Sequence, residues 1–153
     1  MIPLPDPPLR SGDLVLRPWH LDDAAALVAA WADPEIQRWT GVPEVRDLAA
    51  AARWIAGDDV RRERWLSLDL VVERGGQVAG EVGLSSFDRE AGTVEVGWWT
   101  APAHRGLGVA STAAGLVVAW ARDRLALEVI ARCDAANPAS VAVARRAGAM
   151  VLL

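Results

Sequence analysis

Residues 105 to 110 read Arg-Gly-Leu-Gly-Val-Ala and stand between a run that alternates like a strand and a run with helical spacing. Glycines at such a junction let backbone approach a bound group closely, and a helix start offers unpaired N–H groups at the positive end of its dipole. These are the requirements for holding a pyrophosphate, although an ordinary flexible turn before a helix uses the same residues. Two common phosphate motifs do not fit. GxxxxGK[ST] needs a lysine, and all 16 basic residues are arginine; GxGxxG needs a third glycine where Ser111 stands. Nucleotide hydrolysis and dinucleotide binding therefore recede, and the neighbouring segments must decide what the loop does.

Those neighbours are legible. "LVLRPW" at 14–19 predicts a first strand, and "LDDAAALVAAWA" sets Ala24, Leu27, Val28 and Trp31 at helical spacing behind Asp22 and Asp23. After a break at Asp33 and Pro34, Leu48, Ala51, Ala52 and Ile55 predict a second helix that stops at Gly57. Leu66, Leu68, Leu70 and Val72 alternate, and a Gly75-Gly76 turn leads to "QVAGEVGLSSF", which predicts an antiparallel hairpin. "DREAG" at 88–92 turns the chain into "TVEVGWWT", where Thr93, Glu95, Gly97 and Trp99 share one face. Past the loop, a helical stripe runs from about Gly106 to Arg122, and "EVIARC" at 128–133 predicts a buried strand parallel to the one before the helix. Asn137 as N-cap, Pro138 at the first helical position and Gly148 as stop define a last helix before a short strand in "MVLL". The expected order is strand, two helices, three strands, helix, strand, helix, strand, in one domain spanning 1–153 with a mixed sheet.

Composition narrows the function classes. A formal net charge of -4 disfavours a general nucleic-acid surface and weakly suits a cationic or amine-bearing partner. Cys133 alone makes no internal disulfide, and two histidines give no metal-ligand spacing, so neither a staple nor a metal is expected. No apolar stretch is long enough to cross a bilayer and the N-terminus does not read as a secretory signal, so a soluble, cytoplasmic protein is expected.

Arg105, Gly106, Leu107, Gly108, Val109 and Ala110 resemble the [QR]xxGx[GA] acyl-CoA motif of the GNAT superfamily of N-acetyltransferases. "VEVGWWTAPAHRGLGVA" is similar to that family's motif strand and loop, and "NPASVAVARRAGA" to its later helix. "LRPWHLDDAAAL" and "ADPEIQRWTGVPEVRDLAAAARWIA" resemble the opening of the branch containing ribosomal-protein N-terminal acetyltransferases, so the likeness covers about Leu14 to Met150. It implies an α/β (α+β) fold with a mixed, mostly antiparallel sheet, a splayed parallel central pair and about four flanking helices. It further implies acetyl-CoA as co-substrate, with the pyrophosphate on the amides of Arg105 to Ala110. The pantetheine would run along Trp98, Trp99 and Thr100 and face Asn137, a residue that reads equally as a simple cap.

Transfer to an amine needs a neutral nucleophile, a polarised carbonyl and a proton for the departing thiolate. A strand N–H near Val96 to Trp98 can polarise the carbonyl. Glu95 is the first candidate base because it shares a face with Trp99 beside the expected splay, where partial shielding would raise its pKa; an ordinary solvent-facing glutamate is the competing reading. Glu81 and Asp69 follow. Many relatives place a tyrosine acid seven residues after the motif asparagine; here Ala144 stands there, leaving Ser140 or water. His104 would either assist phosphate binding or, the favoured reading, fill a solvent-exposed turn; His20 begins a helix. Trp39 and Trp65 fall where the resemblance bounds the acceptor site, and Cys133 reads as core.

The resemblance also implies two strands beyond the position of Gly148, whereas this chain runs only to Leu153. A short sheet with an open edge predicts a homo-oligomer or low stability. The leading expectation is acetyl transfer to a primary amine, on a protein N-terminus or on a small molecule such as an amino sugar or polyamine. The alternatives are an acyl-CoA-binding or interaction module without turnover, and a structural fragment with no ligand.

Overall fold

The computed structural model describes residues 1–153. The chain forms β1 (Arg10–Ser11), β2 (Leu14–Pro18), α1 (Ala24–Trp31), α2 (Pro34–Trp39), α3 (Leu48–Ala56), α4 (Asp58–Glu63), β3 (Ser67–Arg74), β4 (Gln77–Asp88), β5 (Thr93–Thr100), α5 (Val109–Trp120), β6 (Glu128–Arg132), α6 (Pro138–Ala147) and β7 (Met150–Leu152). The seven strands lie in sequence order in one sheet. Pairing is antiparallel from β1 to β5 and parallel for β5–β6 and β6–β7.

Alternation along the strands produces two unlike faces. Leu68, Leu70 and Val72 of β3, Val82 and Leu84 of β4, and Val94 and Val96 of β5 are buried with Val109, Ala113 and Val117 of α5 and Ala144 of α6 in the main core. The opposite face is covered by a smaller cluster of Trp19, Leu27, Trp31, Ala51, Ile55 and Val71, built largely from α1 and α3. Period-two patterning thus assigns α5 and α6 to one side and α1 and α3 to the other. The β3–β4 turn uses Gly75 at φ +57° and Gly76 at φ +76°, the two left-handed positions that a tight hairpin needs.

Six α-helices flank the sheet where about four were expected. The additional ones, α2 and α4, are six residues each, less than two turns and too short to display an apolar period. Asp33 and Pro34, read from sequence as a break, are instead a helix start: the Asp33 carboxylate accepts from the Ile36 N–H at 3.0 Å and Pro34 takes the first turn. In α4, Arg62 donates to Asp58 and Asp59, both at 2.9 Å, and to the Ile2 carbonyl at 3.0 Å, which fastens the N-terminal segment to the helix. The helix after the glycine loop also begins later than its stripe suggested, at Val109, and its last turn is a π turn over Ala121–Leu125.

Parallel pairing of β5 with β6 is confined to Thr93 with Glu128, Val94 with Val129 and Glu95 with Ile130. Beyond Glu95 the two strands part while β5 continues, paired with β4, to Thr100. A gap therefore opens in the sheet beside Val96 to Thr100.

Candidate active site

Two cavities meet at that gap. One, of about 590 Å³, runs along Thr100, Arg105, Gly106, Gly108, Val109 and Ala110. The other, of about 1100 Å³, lies over the face that carries Asp69 and Glu81. Trp98, Trp99, Asn137 and Ser140 border both, as do Ile36, Trp39 and Thr40 at the lip formed by α2.

The smaller cavity has the character of an anion groove. Gly108 caps α5 in the left-handed region at φ +75° and supplies no side-chain acceptor, so the first amides of the helix face the groove without an internal partner. Gly106 is also left-handed, at φ +74°, and a Cβ at either glycine would meet nothing within 4 Å. The glycines are thus required by backbone conformation and keep the approach clear. Arg105 is tethered, its Nε donating to the Thr100 carbonyl at 3.2 Å and its Nη2 to Asp33 at 2.6 Å. Leu107 is 57% exposed and does not itself border the groove. His104 is not a solvent-exposed turn residue: it is 7% exposed, borders the groove, and its Nδ1 is buried without a partner. An orphaned ring nitrogen, an uncapped helix start and an arginine fit a phosphorylated ligand without any metal.

Across the gap, Asn137 caps α6, its Oδ1 accepting the Ser140 N–H at 3.2 Å. Capping leaves the side-chain amide nitrogen available at the junction, so the structural and ligand-facing readings coexist. Ala144 is fully buried in the core.

The larger cavity separates the candidate bases. Glu95, the last β5 residue paired with β6, accepts from Arg132 Nε at 2.5 Å in an ion pair and is not among the residues bordering either cavity. Glu81 sits opposite Trp99 on the neighbouring strand, borders the cavity, and accepts from Trp19 Nε1 at 2.8 Å. Burial among these indoles, and then repulsion from Asp69, push the Glu81 carboxyl up to about 8; hydrogen bonding by Trp19 and Trp99 offsets this only in part. Asp69 is satisfied by Arg61 Nε at 3.0 Å and Ser67 Oγ at 2.6 Å. Sequence parity could not choose between the two glutamates, because Glu81, Gly83 and Ser85 are opposite Trp99, Gly97 and Glu95 and all share one face.

Trp39 borders both cavities, whereas Trp65 borders neither: it packs on Phe87 with ring centroids 5.5 Å apart, against the main core. Trp31 and Trp54 line the larger cavity, a role that an isolated helical pattern conceals because the same spacing serves ordinary packing. Cys133 is buried as expected, its thiol pushed up by that burial, and also borders the larger cavity. No helix is long and apolar enough to cross a membrane, and no cluster of His, Cys, Asp or Glu could hold a metal.

Comparison with known proteins agrees with this geometry. An uncharacterized N-acetyltransferase p20 of Bacillus licheniformis is 28% identical over 136 residues, covering 84% of this chain and 74% of that protein. Among solved structures, the microcin C7 self-immunity acetyltransferase MccE, in complex with acetyl-CoA and AMP, superposes with a TM-score of 0.79 at 20% identity, over 90% of this chain and 79% of that one. A putative ribosomal-protein-serine acetyltransferase from Vibrio cholerae gives 0.78 at 20% identity over 95% and 84%, so the branch suggested by the opening segments is present among the structural neighbours. The family described as acetyltransferase (GNAT) domain matches residues 13–150, which together with the parted strands and the glycine loop makes this chain a member of the GNAT acetyltransferases.

Proposed function

We propose that the protein transfers an acetyl group from acetyl-CoA to a primary amine by direct attack, with the donor in the smaller cavity and the amine in the larger. The observation that carries this reading is the joining, at the opening in the sheet, of an anion groove to a cavity bordered by Glu81, a carboxyl that burial pushes up to about 8. Acetyl-CoA supplies the acetyl group as a thioester and leaves as the thiol. The amides of Arg105 to Ala110, with the Arg105 guanidinium and His104, hold its phosphates; the β5 edge at Trp98, Trp99 and Thr100 and the side chain of Asn137 hold its pantetheine arm.

Glu81 is the base in this scheme, because it faces the cavity and its affinity for a proton is close to that of an amine being made neutral. Glu95 serves better as the partner that fixes Arg132 where the strands part. Ser140, bordering both cavities, returns a proton to the leaving sulfur; alternatively water does so, since the buried Ala144 supplies no acid. That missing acid also favours the second reading, an acyl-CoA-binding module without turnover. The location proposed for this activity is the cytoplasm, as expected from the sequence.

Thiol release from acetyl-CoA with a panel of amines is the test. Release that depends on amine supports the enzyme; tight acetyl-CoA binding without release by any amine favours the binding module, and no binding at millimolar concentration defeats both.

A further inference from the structure

The larger cavity, as the amine site of the acetyl-transfer reading, constrains the body of the acceptor as well as its reacting group. At about 1100 Å³ it can enclose a whole small molecule. Five indoles border it, those of Trp31, Trp39, Trp54, Trp98 and Trp99, the last four half-buried.

Two of these rings carry a further mark. The Arg38 guanidinium lies 4.5 Å over the Trp39 ring, and that of Arg61 lies 4.2 Å over Trp54. A cation on one face of an indole draws on the same π density that the other face presents. Such rings are poor hosts for a second cation and good partners for a neutral, planar, electron-rich ring.

Charges around the cavity point the same way. Arg61 and Ser67 engage Asp69, Glu95 engages Arg132, and Asp134 accepts from the Ala136 N–H. Glu44 and Arg53, both exposed, flank the entrance. Glu81 is the half-buried carboxyl of the cavity that takes the Trp19 indole in place of a basic side chain as its hydrogen-bond partner, whereas Glu44 and Asp134, also without a basic partner, are exposed. A polyamine needs enclosed carboxylates spaced for each of its nitrogens, whereas beside Glu81 the carboxyls without a basic partner, Glu44 and Asp134, are exposed to solvent. A sugar needs an array of hydroxyl partners, whereas the Thr40 hydroxyl already donates to the Ile36 carbonyl and the walls are mostly apolar.

We propose, resting on acetyl transfer in this cavity, that the acceptor is a small molecule with one amine on an uncharged planar aromatic body. The amine is directed to Glu81 and the ring stacks on the arginine-backed indoles of Trp39 and Trp54. The nitrogen gains the acetyl group and loses its proton to Glu81, while the body is recognised by stacking, with no second charge.

The experiment compares kcat/KM in thiol release for 2-phenylethylamine and tryptamine against n-hexylamine, spermidine, glucosamine and a short peptide with a free N-terminus, at fixed acetyl-CoA. The aromatic amines are expected to exceed hexylamine by about tenfold or more, the range that one good stacking contact commands. Trp39→Leu, at the lip, and Trp54→Leu, deeper and packed on Trp19, should each bring the aromatic-to-hexylamine ratio toward one; two sites guard against either variant folding poorly. Calorimetric binding of 2-phenylethylamine and hexylamine provides a readout free of turnover. Equal affinity in calorimetry, or turnover led by hexylamine, spermidine, glucosamine or the peptide, overturns the aromatic acceptor and leaves acetyl transfer standing. Absence of thiol release with every amine, alongside an aromatic preference in binding, overturns acetyl transfer and leaves the recognition intact.

Discussion

The guanidinium of Arg105 lies 2.6 Å from the carboxylate of Asp33, so the loop proposed to hold phosphate is joined to the cap of the helix that forms the acceptor lip. Asp33 answers two groups at once, the Ile36 N–H and Arg105 Nη2, and the Arg105 bond foremost holds its carboxyl below the usual range. The pair's stabilisation is complete above the ordinary carboxylate pKa and is lost only as pH falls through the lowered value. Arg105→Ala is expected to weaken acetyl-CoA by about tenfold, the scale of one charge-assisted hydrogen bond. Asp33→Asn keeps a cap and releases the guanidinium, so it should bind acetyl-CoA at least as tightly as the wild type. Calorimetry checks both; weaker binding by Asp33→Asn would mean that the pair aims Arg105 at the phosphate instead of competing with it.

Activity should rise with pH through about 8, because Glu81 must lose its proton before it can accept another. Glu81→Gln is expected to lower kcat by about 100-fold or more and to remove that rise. Trp19→Phe deletes a donor that favours the ionised form, so the midpoint should move to higher pH with kcat less affected. Glu95→Gln should leave the midpoint in place. A profile unchanged in Glu81→Gln and displaced in Glu95→Gln would reverse the two assignments.

The same carboxyl makes stability depend on pH. Glu81 titrates near 4.5 when unfolded and near 8 when folded, so its protonated form favours the fold fully below 4.5 and progressively less as pH rises to about 8. Glu81→Gln should therefore flatten the fall in denaturation midpoint between those limits, gaining on the wild type by about 1 kcal/mol or more at pH 8. Urea titrations at pH 5 and pH 8 provide the comparison, and equal slopes for the two proteins would contradict the raised value.

Gly108→Ala forces a side chain into the left-handed region at φ +75°, at a cost of about 1–2 kcal/mol. The Cβ would meet no protein atom within 4 Å, so the loss arises from the backbone and not from crowding. A fall in Tm of about 2–8 °C is expected, together with weaker acetyl-CoA binding from displaced amides. Unaltered affinity in the folded variant would show that the loop amides do not carry the phosphate.

Long periodic segments carried the fold: the β3–β4 hairpin and the Asn137-capped helix stand where alternation and capping place them, and the helix after the glycine loop is present with a later start at Val109. What escaped was short or three-dimensional. Helices α2 and α4 contain too few residues for a period, although Asp33-Pro34 is itself a start signal. Glu81 and Glu95 have the same parity, and only the Arg132 ion pair at one and the enclosing indoles at the other distinguish them. The burial of His104 likewise depends on packing between segments that its immediate neighbours do not reveal.

On the donor reading, the groups at Leu107, Val109 and Ala110 that serve the phosphates belong to the main chain, and no replacement other than proline can delete them. The acceptor walls are the reverse, made of individual indoles on α1, α2, α3 and β5 that point changes can remove or reshape. Heritable variation therefore falls unequally on the two halves of the site. A lineage built on this sheet can drift toward new amines one tryptophan at a time while its acetyl source stays the same.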